Sequence, residues 1–366
     1  MSGIITVNYN RKPCYDIMIE NDFDKLKEKM MGLELKDAKA MIITDSNVGP
    51  IYLDVIKDQI KDVCSNTFCY QITAGETSKN LDTVQAIIRE MIDHSMNRHD
   101  FMIALGGGVV GDITGFVASI YMRGIPFIQL PTSLLAQVDS SIGGKTGVDF
   151  EEYKNMIGAF HMPLLVYINT ATLDTLDARQ FYSGMAEVMK YGLIMDASFY
   201  EWLLDKLYEI HERKPDIMEE MIEYSCKCKQ RIVEKDPLEN GDRALLNYGH
   251  TIGHAIEKAM DFTLLHGECV ALGCVAAAYI SWKKDRISMD EYYEIRDMFV
   301  PFNLPISITG IKAQNIVALT KSDKKAISNG IRFILLKKVG KAVIDSTVTE
   351  DEILAAVNEL IYEEEC

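Results

Sequence analysis

The chain has 366 residues, of which 48% are hydrophobic and 25% are charged, and its 38 basic and 54 acidic side chains give a formal net charge of −16. This composition is that of a folded globular protein, and the length predicts two domains. A surface with this much negative charge repels nucleic acids and anionic membranes. We expect no nucleic acid and no membrane as partner. Any anionic substrate therefore requires a local group of cationic side chains.

The sequence shows no targeting or membrane segment. Residues 1–10 contain no basic region followed by an apolar run, and glycines or an aspartate interrupt the longest apolar stretch, residues 101–121. The eight cysteines form no CxxC pair and no regular framework, a pattern typical of reduced thiols. We therefore expect a cytoplasmic protein.

Short apolar runs alternate with helical patterns over the first 170 residues. A mostly parallel α/β sheet is expected from this alternation. The apolar runs lie at 40–47, 100–112, 124–133 and 164–170, and the clearest helical pattern lies at 80–96.

Helical periodicity dominates from about residue 178 onwards, apart from a hairpin-like pair at 331–345. The predicted helices are 184–195, 198–211, 216–235, 249–261, 267–284, 290–299 and 350–362. We therefore predict a first domain over 1–177 and a second over 178–366.

The segment Gly106–Gly111 fits the pattern GxGxxG, directly after a predicted strand and before a predicted helix. Such glycines let the backbone approach a pyrophosphate at a helix N-terminus. The acidic residue expected about twenty positions later is missing, so a plain glycine turn is the alternative. Asp45 follows an earlier strand and could bind a ribose hydroxyl instead. Together with Glu76 and Lys79, in a third loop, these residues predict one crevice at the carboxyl ends of the strands.

The segment 131–149 is rich in small residues and contains Lys145, and the segment 153–160 contains Lys154 and Asn155. Small residues with isolated lysines suit a phosphorylated ligand. The alternative is a flexible surface loop. Four hydrophobic residues that an open loop would leave exposed argue against it: Leu134, Leu135, Val138 and Ile142.

Glu187 and Lys190 are spaced i, i+3 on an otherwise apolar helix. Such a pair is either a structural salt bridge of little energetic weight or a metal-binding carboxylate beside a substrate-binding ammonium. The spacing itself favours neither interpretation.

Three of the seven histidines fall within seventeen residues: His250, His254 and His266. One glutamate and two histidines with an open position form a catalytic zinc set. The i, i+4 spacing nominates His250 and His254, which share one helix face. His266 remains a third candidate for the two positions.

Taken together, these segments resemble the 3-dehydroquinate synthase family of sugar-phosphate cyclases. The resemblance runs nearly from end to end, through TDSNV, GETSKN, GGGVVGD, RGIPFIQLPTSLLAQVDSSIGGKTGV, KNMIGAFHMP, GMAEVMKYG, DRALLNYGHTIGHAIE, LHGECVALG and DKK. It implies a Rossmann-like NAD-binding N-terminal domain, a mainly helical metal-binding C-terminal domain, and a homodimer with the active site in the cleft.

The resemblance implies that Glu187, His250 and His266 bind Zn²⁺ or Co²⁺, and that His254 transfers protons instead. Glu239 stands at a position sometimes assigned as a proton acceptor. The catalytic and substrate-binding positions also include Arg123 (reaching phosphate from the partner subunit), Asp139, Lys145, Asn155, Lys190, Lys229, Arg243, Asn247 and Lys324, with Lys325 as the alternative to Lys324. His254 and His266 are expected to touch substrate as well.

The positions implied for NAD follow the predicted strands. They are Asp45, Asn47, Glu76, Lys79, Gly107, Gly108, Val109, Asp112, Thr132, Ser133, Lys154, Thr172 and Thr175. Ser183, Ser133, Asp149 and the segments 236–239 and 240–243 depart from the family pattern, and these departures leave the implied reaction unchanged.

The implied reaction converts 3-deoxy-D-arabino-heptulosonate 7-phosphate into 3-dehydroquinate and phosphate. NAD⁺ takes a hydride and later returns it, so it acts as a catalyst.

Three alternative functions are considered: another cyclase such as 2-deoxy-scyllo-inosose synthase, a metal-dependent polyol dehydrogenase, and an inactive binding protein. The cationic set, which includes Lys229 and Arg243, argues against the first two, and the presence of every implied ligand argues against the third.

Overall fold

The computed structural model describes residues 3–151, 153–322 and 332–362, so Lys324 and Lys325 lie outside the described residues. The chain separates into two compact units. The first is Met1–Leu176 with Pro215–Leu238, and the second is Asp177–Lys214 with Glu239–Cys366. No described helix is long and apolar enough to cross a membrane.

A seven-stranded sheet with the order β1-β2-β9-β6-β5-β3-β4 forms the centre of the first unit. β1 and β2 pair antiparallel, and the other pairs are parallel. The strands are β1 Gly3–Tyr9, β2 Lys12–Glu20, β3 Lys39–Asp45, β4 Asn66–Ile72, β5 Phe101–Gly106, β6 Phe127–Pro131 and β9 Leu165–Asn169. The four apolar runs in the sequence are the central strands β3, β5, β6 and β9.

These central strands are apolar throughout because helices cover both faces of the sheet. Successive side chains point to opposite faces. In β3, Ala40 and Ile42 therefore enter one hydrophobic cluster, whereas Met41 and Ile43 enter the other. The core of the first unit thus consists of two layers, one on each side of the sheet.

The helices of the first unit include one that begins at Gly108, within the glycine segment Gly106–Gly111. α3 begins after Asn80, whose side chain accepts a hydrogen bond from the backbone N–H of Thr83. The helices are α1 Leu26–Met31, α2 Gly49–Ile60, α3 Leu81–Asp93, α4 Gly108–Ile120 and α8 Pro215–Lys235.

The segment predicted to bind a phosphorylated ligand is ordered structure rather than an open loop. Residues Ala136–Ser140 form a π-helical turn, and β7 (Lys145–Phe150) pairs antiparallel with β8 (Tyr153–Phe160). Leu134, Val138 and Ile142 are buried, as the sequence argument expects.

Helix α8 was assigned to the second domain by the sequence, but it packs within the first unit. Asn8 N–H donates to the carboxylate of Glu234 over 2.7 Å, and the Gln230 side chain donates to the Thr6 carbonyl over 2.7 Å. These bonds fix α8 to β1, a contact between distant segments that periodicity cannot reveal.

The second unit is mainly helical. Its helices are α5 Ala178–Met195, α6 Ala197–Asp205, α7 Leu207–His211, α9 His250–Ala259, α10 His266–Lys283, α11 Met289–Asp297, α12 Ala313–Ser322 and α13 Glu350–Leu360. The hairpin-like pair is present as β10 (Phe333–Lys338) and β11 (Lys341–Asp345). The predicted fold class, an α/β N-terminal part and a mainly helical C-terminal part, is confirmed.

Candidate active site

Three helices of the second unit bring one carboxylate and two imidazoles together. Glu187 lies in the middle of α5, and His250 and His266 are the first residues of α9 and α10. Glu187 Oε1 is 3.3 Å from His250 Nε2 and 3.4 Å from His266 Nε2.

These separations fit a tetrahedral metal ion. Ligand atoms about 2.05 Å from one Zn²⁺ lie about 3.3 Å from each other when the geometry is tetrahedral. The two distances measured from Glu187 match that value without any rearrangement. Two imidazoles and one carboxylate are also the donor set of a catalytic zinc site with an open position.

The orientation of His250 supports the same interpretation. Its Nδ1 lies 3.0 Å from the carbonyl oxygen of Tyr248. Because a carbonyl only accepts, Nδ1 carries a proton, so Nε2 is the nitrogen of His250 that can bind a metal ion. Backbone carbonyls fix metal-binding histidines in this way.

The two carboxylate oxygens of Glu187 face different partners. Oε1 faces the imidazoles, while Oε2 pairs with the Lys190 ammonium, which also donates to the Leu246 carbonyl over 2.7 Å. Glu187 is fully buried, and burial would raise the pKa of its carboxyl group. The charge of Lys190 and the interactions with His250 outweigh burial and hold that pKa well below its ordinary value. The carboxylate is therefore ionised and available to a cation.

His254 lies on the same helix as His250 but contributes to a second group. One possible ligand atom each from His254, Glu257 and His266 lie within 4.8 Å of one another. The His254 and His266 rings are 5.9 Å apart between centroids. Glu257 is buried and was missed by the sequence analysis, although its i, i+3 spacing from His254 is a signal that could have found it.

Close backbone contacts hold the three helices in place. A Cβ added at Gly273 of α10 would lie 1.8 Å from the carbonyl oxygen of Gly249, directly before His250. One added at Gly267 would lie 1.8 Å from the carbonyl oxygen of Ser183 on α5. The Gly267 N–H also donates to Ser183 Oγ over 3.0 Å, so the serine keeps a hydrogen-bonding group at this position.

A charged pair fixes the start of α10. Arg179 binds Glu268 through two bonds, Nε to Oε1 over 2.6 Å and Nη2 to Oε2 over 2.7 Å. Glu268 also accepts the Leu265 N–H, which precedes His266. Neither Arg179 nor Glu268 was singled out from the sequence.

We expect Gly273→Ala to lose divalent metal. Its free energy of unfolding should be lower than that of the wild type by about 3 kcal/mol. The added methyl group would meet a backbone carbonyl that cannot turn aside, so α9 and His250 must move away from α10. Metal content after dialysis and thermal unfolding check this. Gly32→Ala is the control, because Gly32 has helical torsions and its nearest obstacle is 3.4 Å away. Wild-type metal affinity in Gly273→Ala would contradict the expectation.

In the first unit, the positions implied for NAD follow the carboxyl ends of the parallel strands. Asp45 ends β3, residues 76–79 follow β4, and residues 107–112 follow β5. Thr132 and Ser133 follow β6, while Thr172 and Thr175 lie in the turn after β9. Parallel strands end at one edge of a sheet, so the sheet brings these residues to one side.

Lys79 connects two of these loops. Its ammonium is 2.7 Å from the carboxylate of Asp112 and 2.6 Å from Asn155 Oδ1. Burial would lower the pKa of Lys79, but Asp112 and Glu76 outweigh it and raise that pKa above its ordinary value. Asp149, which departs from the family pattern, accepts the Asn155 N–H over 2.7 Å.

The remaining implied residues of the first unit lie in four places. The Lys229 ammonium on α8 is 2.7 Å from Asp139 Oδ1 and 2.6 Å from the Asp139 carbonyl. Lys145 is exposed at the start of β7, and Lys154 lies 3.5 Å from Glu76. Arg123 has a φ of 74°, a left-handed conformation that is rare for arginine.

In the second unit, Asn247 Nδ2 donates to Glu239 Oε1 over 2.9 Å, so these two implied residues are in contact. Arg243 is fully buried in the turn before α9, and Lys190 donates to the same turn. This turn therefore connects the implied substrate contacts to the histidines.

Two family models match consecutive parts of the chain. The 3-dehydroquinate synthase N-terminal model matches residues 69–183, and the C-terminal model matches residues 184–326. The chain belongs to the 3-dehydroquinate synthase family. The resemblance inferred from the motifs is thereby confirmed.

Relatives in this family cover nearly the whole chain. The 3-dehydroquinate synthase of Thermoanaerobacter pseudethanolicus is 42% identical over 351 residues, which are 96% of this chain and 98% of that protein. The 3-dehydroquinate synthase of Acidithiobacillus ferrooxidans is 45% identical over 86% of each chain. Family membership therefore rests on both halves of the chain.

A solved structure shares the fold. The 2-epi-5-epi-valiolone synthase of Streptomyces hygroscopicus subsp. jinggangensis, with NAD⁺ and Zn²⁺ bound, has a TM-score of 0.88 and 27% identity, with 97% of this chain and 99% of that chain covered. The likeness covers both units.

Proposed function

We propose that the chain is a 3-dehydroquinate synthase, which converts 3-deoxy-D-arabino-heptulosonate 7-phosphate into 3-dehydroquinate and phosphate. It is then a phosphorus–oxygen lyase of the shikimate pathway, which leads to chorismate and the aromatic amino acids. The observation that carries the proposal is the set Glu187, His250 and His266, spaced for a tetrahedral ion in a chain that belongs to this family.

The metal is Zn²⁺ or Co²⁺, and Glu187, His250 and His266 hold it. When bound, the ion acts as a Lewis acid that polarises a substrate hydroxyl. The chain's own contribution is orientation. The Tyr248 carbonyl fixes the ring of His250, and Lys190 holds one oxygen of Glu187 so that the other faces the imidazoles.

The cofactor is NAD, held at the carboxyl edge of the parallel sheet. When bound, it accepts a hydride from the substrate and returns it within one turnover. The backbone N–H groups that begin α4 suit its pyrophosphate, and the absence of a side chain at Gly107 and Gly108 keeps that approach open. The Lys79–Asp112 pair fixes α4 to the loop after β4.

Cationic side chains bind the substrate's carboxylate and phosphate against the net negative charge of the protein. The proposed cations are Lys145, Lys190, Lys229 and Arg243. Asp139 supports this role for Lys229, because it holds the ammonium in one position. Asp139, Asn155 and Asn247 are the proposed polar contacts, and Lys324, outside the described residues, is a further proposed cation.

His254 transfers protons. It is exposed on α9, one turn after His250, and an imidazole titrates near neutrality. Glu239 is the second proposed proton acceptor, and its hydrogen bond from Asn247 supports a fixed position.

We further propose a homodimer in which Arg123 reaches the phosphate bound by the partner subunit. The strand β8 supports this proposal, because it lies at an edge and exposes Tyr153, Met156 and Phe160. The strained backbone at Arg123 is a second support, since such strain collects at functional sites.

The division at residue 177 and the cytoplasmic location remain proposals. Residues 1–177 are proposed to bind NAD, and residues 178–366 to bind metal and substrate, with α8 added to the first part. The seven cysteines among the described residues are free thiols, which supports a reducing compartment.

The test of the function is phosphate release from the heptulosonate 7-phosphate with catalytic NAD⁺ and Zn²⁺, with NADH absorbance followed at the same time. We expect phosphate release without lasting build-up of NADH. If NADH accumulates in step with turnover, the chain is a dehydrogenase. If only glucose 6-phosphate releases phosphate, it belongs to the other cyclase branch.

A further inference from the structure

Two possible metal positions in the second unit share one ligand. The inner position is Glu187, His250 and His266, and the outer position is His254, Glu257 and His266. His250 and His254 are one helical turn apart, and their rings lie 5.2 Å from each other between centroids. The two positions are therefore immediate neighbours along α9.

The most exposed ligand, His254, belongs to the outer position and the most buried one, Glu187, to the inner position, while Glu257 of the outer position is also buried. The Glu187 side chain is 0% exposed, His250 is 13% exposed and His266 is 30% exposed. His254 is exposed. An ion arriving from solvent therefore meets His254 and His266 before it can meet Glu187.

We infer that the outer position is a loading site through which a divalent cation reaches the inner position. His266 remains bound to the ion throughout. His254 and Glu257 release the ion as His250 and Glu187 take it up. Because a neutral imidazole has one nitrogen lone pair, His266 serves one ion at a time, and the two positions are occupied alternately.

The donor sets explain why both positions select the same ions. Each offers two imidazoles and one carboxylate, which suit Zn²⁺ and Co²⁺. A carboxylate and a histidine at i, i+3 on one helix also occur in the metal sites of helical bundles.

The spacing explains why the ion ends at the inner position. The inner ligand atoms already lie 3.3 Å and 3.4 Å from Glu187 Oε1. At the outer position the His254 ligand is exposed to water, whereas the inner ligands Glu187 and His250 are held by Lys190 and by the Tyr248 carbonyl. The outer position is therefore the weaker one and releases its ion readily.

The inference depends on the inner metal site of the proposed function, but its test uses binding alone. Co²⁺ is titrated into Glu187→Gln, which lacks the inner carboxylate, and bound metal is measured by equilibrium dialysis and visible absorption. We expect one weakly bound Co²⁺ per chain. Adding Glu257→Gln should weaken this binding at least about 10-fold. Equal affinity with and without Glu257→Gln would overturn the inference.

The rates provide a second test. In Glu257→Gln alone, loading of Co²⁺ and its release to a chelator should both slow by about 10-fold or more, while the dissociation constant at the inner position stays the same. Glu201→Gln, at an exposed carboxylate of α6, is the matched control and should load at the wild-type rate. Unchanged loading in Glu257→Gln would rule out the outer position as the path.

If Glu257→Gln does not fold, Co²⁺ is titrated into Glu187→Gln and into the double variant that also carries His254→Ala. Equal affinity in these two proteins would overturn the inference. Phosphate release by the wild type reports the proposed function separately.

Discussion

His266→Ala is expected to bind Zn²⁺ at least about 100-fold more weakly than wild type and to lose phosphate release as a result. Removing even a residue that only hydrogen-bonds to a metal ligand lowers metal affinity by about 10- to 100-fold. His266 Nε2 is one of the two imidazole nitrogens that face Glu187 Oε1 at tetrahedral spacing. His250→Ala should behave in the same way. Metal content after dialysis and the phosphate-release rate at saturating Zn²⁺ are the measurements.

His254→Ala is the matched control, because it removes a histidine of the same cluster that does not belong to the inner set. At equilibrium it should keep its metal, and it should lose about 100-fold in rate as a proton-transfer group. If His254→Ala loses as much metal as His266→Ala does, the ligand assignment is wrong. If it keeps both metal and rate, the proposed proton transfer is wrong.

Lys190→Met should destabilise the metal-free protein by about 3 kcal/mol, and Zn²⁺ should restore most of that loss. The Lys190 and Glu187 side chains are 1% and 0% exposed, so the substitution leaves a carboxylate buried without its ammonium partner. A bound Zn²⁺ supplies positive charge to the same carboxylate. Thermal unfolding of both proteins, with a chelator and with Zn²⁺, measures the effect.

The prediction for Lys190→Met also includes how the stability of the metal-free protein depends on pH. In wild type the pKa of Glu187 is depressed. Its ionised carboxylate therefore stabilises the folded state at pH values above the unfolded pKa of about 4.3, and this stabilisation is lost as the pH falls through the pKa of the folded state. Without Lys190 the largest interaction that lowers this pKa is lost, so burial shifts the pKa of Glu187 upward from its wild-type value. The metal-free variant should therefore approach wild-type stability as the pH is lowered from neutrality toward the unfolded pKa.

Lys206→Met is the control, since Lys206 and Glu209 form an i, i+3 pair in the same unit whose side chains are 36% and 27% exposed. It should change stability little. If Lys190→Met loses the same stability with and without Zn²⁺, then Lys190 does not act by balancing the charge of Glu187.

The sequence predicted the elements that are buried on all sides. β3, β5, β6 and β9 are continuous apolar runs because helices cover both faces of the sheet. Helices α8, α9 and α13 show their period because one face is buried, whereas α5 and α10 are buried over most of their length. The edge strand β4 was inferred only from the polar loop that follows it, because β4 is only partly buried and its residues Asn66–Ile72 show no continuous apolar run.

The hairpin β7–β8 was not predicted for a different reason. Its strands contain Gly147 and Gly158, and a Cβ at either position would meet the opposite backbone within 2.7 Å. Small residues there are a requirement of close strand pairing, but in the sequence they are equally typical of a loop. Pairing between the two strands decides the question, and only the structure shows it.

The sequence by itself determined the family, the fold class and the small set of residues that can bind a metal. Those depend on residue identity and on local spacing, which a one-dimensional pattern contains. Only the tertiary structure decided which histidines face Glu187 Oε1. That choice depends on distances of 3.3 Å and 3.4 Å between side chains on three helices, whose approach is set by backbone contacts at Gly267 and Gly273. The i, i+4 spacing of His250 and His254 cannot contain this information, because His266 meets them only after the helices pack.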